Sequence, residues 1–217
     1  MLPTTATPPL TTPASLVNTV LRKCWPMTPP AGGKRSIRQH FPRAGMPRED
    51  ERVLQPLTAE DVEVIAAQLE RPPRGLAGLA YRCPCGKPAV VATQPRLADG
   101  TPFPTTYYLT CPQAHAACST LESQGLMAAM TQRLRSDGRL AAAYRRAHQA
   151  YLAAREQLGD VPEIAGVSAG GMPDRVKCLH ALAAHALAAG RGVNPLGDET
   201  VDELGAFWLP PCLEEFS

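Results

Sequence analysis

No stretch of this sequence approaches the roughly 20 consecutive apolar residues that a membrane-spanning helix needs. The best apolar run near the N-terminus, Leu16 to Leu21, is too short and too polar for a signal-peptide core. A soluble cytoplasmic protein is therefore expected. Also missing are the GxSxG elbow, the HExxH helix, the GxxxxGKS/T phosphate loop and the GxGxxG dinucleotide fingerprint. Their absence removes the enzyme classes that announce themselves by local motif. No internal repeat is present, so solenoid and propeller architectures are excluded.

Acidic residues are absent before Glu49. The whole chain carries 22 basic and 20 acidic side chains, a net of +2. Arg22, Lys23, Lys34, Arg35, Arg38 and Arg43 supply that excess; without residues 1–45 the balance is 16 basic against 20 acidic, a net of −4. The remainder thus offers no electrostatic case for nucleic acid as a partner. Many of the 23 prolines also fall in the first 45 residues, among them Pro8, Pro9, Pro29 and Pro30. Residues 1–45 read as a disordered, proline-rich basic leader, because proline forbids a continuous helix and few apolar groups are available for burial. Translation from Met46 is the alternative. Residues 46–205 are expected to form a single domain, with 206–217 an irregular tail.

Within that domain the patterning is mixed. Thr58 with Asp61 forms a capping-box start, and Val62, Ile65, Ala66 and Leu69 recur at helical spacing. Three short strands follow, over 76–83, 89–93 and 105–111, separated by turns rich in glycine and proline. The pattern turns helical from Ser119, where Glu122 completes another capping box, and again after Asp137. Pro173 suits the first position of a helix that Gly190 stops, and a short helix is expected near Val201 to Leu204. The fold class is α+β: a small three-stranded antiparallel sheet covered by about four or five helices.

Seven cysteines in a chain without a secretory signal point to metal binding or burial before disulfides. Cys83 and Cys85 close the first strand as Cys-Pro-Cys-Gly, and Cys111 closes the third. In a meander those two strand ends share one sheet edge. A helix from Pro173 would place Cys178 and His185 about 20° apart and His180 almost opposite, at about 100° per residue. Cys83, Cys85, Cys111, Cys178 and His185 are thus the candidate ligands of a structural zinc, with His180 less favoured. His115 and Cys118 could replace the distant ligands if a helix begins at Pro112. Cys24 and Cys212 receive no role, and His148 is read as a surface or packing residue. The function expected is a binding or regulatory module stabilised by that cluster.

The alternative is an enzyme acting on a phosphate- or carboxylate-bearing small molecule. Gly170 and Gly171 lead into the expected helix, whose amides would join Arg175 and Lys177 in holding an anion. Cys178 as nucleophile with His180 or His185, and a metal-bound water with Glu122 as base, are the catalytic variants.

The segments Asp99 to Thr105, Tyr107 to Thr110, Ala169 to His180 and Gly192 to Asp198 resemble the actinobacterial family known as domain of unknown function 501. The resemblance runs over roughly residues 58–200 and implies no established activity. Members are often encoded near a septum-formation initiator and an exopolyphosphatase, which links the family to cell-division or polyphosphate proteins by association only. Beyond that the partners are unknown.

Overall fold

Thr58 starts the first helix among the described residues. Its hydroxyl accepts from the Asp61 backbone N–H at 3.1 Å while the Asp61 carboxylate accepts from the Thr58 N–H at 3.2 Å. This reciprocal cap opens α1 (Ala59–Leu69), which ends at Glu70 in a left-handed conformation. The computed structural model describes residues 54–209; the leader, Cys24, Cys212 and the last eight residues of the tail lie outside the described residues.

Asp61 does a second job. Both of its oxygens accept from the Arg82 guanidinium, at 2.9 and 3.1 Å, which ties α1 to the end of the first strand. Arg82, followed by the helix-start donors of Thr58, holds the Asp61 carboxyl below its ordinary value against the opposing effect of burial. Asp61→Ala is expected to cost about 2 kcal/mol, since it removes a cap and a charge-assisted contact together. Urea denaturation checks this, and the loss should shrink as pH falls below the ordinary carboxylate range. The sign follows from the depressed folded-state value: this stabilisation is present above the unfolded value and disappears on protonation.

Three strands form a meander in the order β1 (Leu76–Arg82), β2 (Pro88–Thr93) and β3 (Tyr107–Leu109), antiparallel throughout. Every residue of β2 is buried, as its central place demands. Val90 is opposite Leu109, Val91 opposite Tyr108 and Ala92 opposite Tyr107. Tyr107 and Tyr108 consequently face opposite sides of the sheet.

The helical half contains α2 (Pro112–Ser123), α3 (Leu126–Ser136), α4 (Gly138–Glu156), α5 (Leu179–Ala189) and α6 (Pro195–Leu204). With α1 this makes six α-helices among the described residues, over a three-stranded antiparallel sheet, an α+β fold. The short helix expected near Val201 to Leu204 already begins at Pro195, and two further boundaries differ from the sequence reading. The helical pattern attributed to a start at Ser119 begins at Pro112, with Cys111 as its cap, and breaks at Gly125, whose φ of 86° serves as the cap of α3. A break there needs glycine, because a Cβ in that conformation is strained.

The second difference concerns Pro173. Gly170 and Gly171 have φ of 72° and 88°, and they turn the chain back on itself. The Lys177 N–H then donates to the Gly170 carbonyl at 2.7 Å and the Arg175 N–H to Gly171 at 3.2 Å. A Cβ on Gly171 would stand 2.9 Å from the Arg175 oxygen. Amides used backward in this way cannot also begin a helix, so α5 starts only at Leu179.

Helix α5 is the centre of the described domain. Seven of its eleven residues are buried, which marks a helix surrounded on all sides. The sheet lies on one side and α6 crosses another, with Gly197 at the contact. Tyr151 of α4 reaches over the top: its hydroxyl accepts from the Thr106 N–H at 2.6 Å, and its ring meets Tyr107 and His185 edge-on. No helix among the described residues is long and apolar enough to cross a membrane.

Candidate metal centre

The start of α5 lacks a cap of its own, because the Cys178 side chain makes no capping bond to the first-turn backbone. Glu122, near the end of α2, fills the gap. Its Oε1 accepts from the Leu179 N–H at 2.7 Å, placing a carboxylate at the positive end of the α5 dipole. The same oxygen stands 3.2 Å from His180 Nδ1, and Cys178 Sγ stands 3.7 Å from that nitrogen. Among the described residues, Glu122, Cys178 and His180 are the group whose donor atoms all lie within 4.8 Å of one another, and this triad could hold a metal ion.

The other ring nitrogen decides the chemistry. His180 Nε2 lies 3.1 Å from the His115 carbonyl oxygen and 3.3 Å from Ser119 Oγ. A carbonyl only accepts, so Nε2 carries the proton in that contact. In the neutral ring Nδ1 then presents a lone pair to Glu122 Oε1, which is itself an acceptor. Two acceptors at 3.2 Å require a cation between them: a proton on Nδ1, or a metal. Cys178 first, and Glu122 after it, hold the His180 ring above its ordinary value against burial. Cys178 and Glu122 also share one nitrogen, which is not the arrangement of a nucleophile triad, where base and orienting acid use different nitrogens.

The distances suit a metal. Tetrahedral coordination with bonds of about 2.0 Å to nitrogen or oxygen and about 2.3 Å to sulfur puts donor pairs about 3.3–3.6 Å apart. Two of the three pairs are 3.2 and 3.7 Å, and the third lies within 4.8 Å. Both carrying side chains remain partly open, at 17% for His180 and 23% for Glu122. The exposed His115 ring packs on His180 with centroids 4.1 Å apart, and burial first, then His180, holds its pKa below the ordinary value.

The other residues singled out from the sequence are placed elsewhere. His185 is buried inside the core: Asn194 Nδ2 donates to its Nδ1 at 3.2 Å, and the Tyr107 ring stacks on it at 5.8 Å. Cys178 is extended, with φ of −156°, so the helical angle between it and His185 has no meaning there. Cys83 and Cys111 are buried and Cys85 half-buried. Burial first, then Cys83, Cys111 and Cys85, push the Tyr81 hydroxyl up to about 12. No three-donor group within 4.8 Å forms there among the described residues. Cys118 is buried one turn before Glu122, and burial pushes its thiol up to about 12. His148 is buried with Nδ1 2.9 Å from Ser168 Oγ. Arg175 and Lys177 are exposed on the folded-back turn, whose amides at 175 and 177 are already engaged with Gly171 and Gly170.

Sequence reasoning took Glu122 for a cap or for the base beside a metal-bound water, and His180 for the less favoured ligand. Glu122 is a cap, but of a helix that begins 57 residues later. The signal that could have found the pair is the Cys178-x-His180 spacing before an apolar helix.

Residues 79–202 match the model of a family described as protein of unknown function, DUF501. No curated protein and no solved structure matches the chain. The match covers most of the sheet, α2 to α5 with the whole triad, and most of α6, which is more than half of the sequence: the chain belongs to the DUF501 family.

Proposed function

We propose that this protein is a binding module organised by a structural zinc ion, held by Glu122, Cys178 and His180. One observation carries this reading: the His115 carbonyl claims the Nε2 proton of His180, which leaves a lone pair, a thiol sulfur and a carboxylate oxygen facing one point. Sulfur, nitrogen and oxygen donors together suit zinc rather than calcium or magnesium, which take oxygen alone. The metal would join α2 to the start of α5, the helix on which the rest of the domain packs. Its partly open face leaves a fourth position for water or a partner's side chain.

Protein purified from zinc-supplemented medium is expected to carry one zinc per chain. Chelation should lower its unfolding midpoint, and free zinc at about a hundred times its Kd should add about 3 kcal/mol of stability. Glu122→Gln, Cys178→Ser and His180→Gln should each weaken zinc binding by about a hundredfold or more. Protein that takes up no zinc under these conditions would sink the reading. Zinc removable with no change in unfolding would make the site catalytic rather than structural.

A further inference from the structure

Helices α4 and α5 fill one face of the sheet, where Tyr107 meets Tyr151 and His185. Tyr108 looks out from the other face beside its register partner Val91. There the end of α1, the turn at 71–76 and the loop between β2 and β3 enclose a slot of about 110 Å³. Its walls are apolar: Leu69, Leu76, Val91, Leu97 and Phe103. Beside it, Gly75 has φ of 61°, and a Cβ there would stand only 2.6 Å from Cδ2 of the lining residue Leu97. The turn closes this near to Leu97 because residue 75 has no side chain.

The mouth is polar and unevenly charged. Arg74 is ion-paired with Asp99 across the rim. Arg71 has no carboxylate partner among the described residues; its guanidinium donates to the Tyr108 phenolic oxygen at 3.4 Å. The phenol keeps its own proton to donate, and Arg71 and Tyr108 both line the slot. An apolar slot ending on an uncompensated guanidinium and a hydroxyl donor is complementary to a carboxylate with a hydrocarbon tail. Size limits the tail. A cavity of about 150 Å³ takes benzene, so this slot takes about four or five carbons.

We propose that this slot binds a short-chain monocarboxylate, its tail against Val91 and Leu97 and its carboxylate on Arg71 and Tyr108. The site is separate from the metal centre and does not depend on it.

Sodium butyrate titrated into the full-length chain tests this by methyl NMR. The Leu76, Val91 and Leu97 resonances should shift together and saturate, with a Kd of the order of 1 mM for a ligand of this size. Arg71→Gln, an exposed substitution, should weaken binding about tenfold or more. 1-Butanol, with the same tail and no charge, should bind the unaltered protein at least about tenfold more weakly than butyrate. Shifts that fail to saturate by about 50 mM, some fiftyfold above that Kd, an unchanged Kd in the Arg71 variant, or equal affinity for butanol would each overturn the proposal.

Discussion

Gly197→Ala is expected to lower the unfolding free energy by about 3 kcal/mol or more, the upper end of what overpacking costs. The added Cβ would lie 2.5 Å from the Leu182 carbonyl oxygen, 2.9 Å from Ala186 Cβ and 3.0 Å from Asn194 Cγ. None of these can step aside. Leu182 O is backbone in the middle of α5, Ala186 is a buried stub, and Asn194 is fixed as the cap of α6 by accepting from the Gly197 N–H at 3.0 Å. Relief would require α6 to withdraw from α5, which opens voids around the fully buried Leu196 and Thr200. Gly138→Ala is the matched control: it opens α4, meets nothing within 4 Å, and should be neutral or stabilising by about 0.5–1 kcal/mol. Denaturant melts of both variants decide the matter. A Gly197→Ala protein within about 1 kcal/mol of the parent would mean that the two helices do not approach this closely.

Metal-free protein should lose about 3 kcal/mol as pH falls from about 6.5 toward 4, and His185 should account for most of it. Burial among Tyr107, Tyr151 and Asn194 pushes this imidazole down to about 4. A histidine depressed in the folded state contributes stability that is complete above its unfolded value and lost as pH drops toward the folded one. Protonation would also put a donor on Nδ1 facing the Asn194 Nδ2 donor, so the bond reverses to a clash of like groups. His115 and His148, both lowered chiefly by burial, titrate in the same sense. His180, raised by Cys178 and Glu122, works oppositely: its share is present in acid and disappears as pH rises through its folded value. The His185 share is isolated by difference. His185→Gln should be less stable at pH 7 yet show a markedly flatter decline between pH 6.5 and 4.5. A decline as steep as the parent's would remove His185 from the account.

The two expectations show where local reading ends. Thr58 and Asp61, three residues apart, announced α1 because a cap is a contact between near neighbours. Asp137 before α4 and Gly190 after α5 were legible for the same reason. Alternation and turn residues placed the three strands to within a few positions, since neither depends on the rest of the chain. Pro173 misled because a proline after two glycines suits a helix start equally well as a chain reversal. The choice was made by contacts with Lys177 and Arg175 and by Thr131, whose hydroxyl accepts from the Val176 N–H at 3.0 Å.

By itself, the sequence determined the α+β class, the meander, the caps of α1 and α4 and the family motifs, set by contacts between near neighbours and by pairing of consecutive strands. Tertiary structure alone decided that His180 rather than His185 meets Cys178, and that Glu122 joins them. The reason is the path of residues 170–178. A chain folded back through two left-handed glycines delivers Cys178 in extended form to the side of α2, whereas a helix from Pro173 would have aligned it with His185. His185, freed of that alignment, lies in the core, where burial and Asn194 keep it neutral.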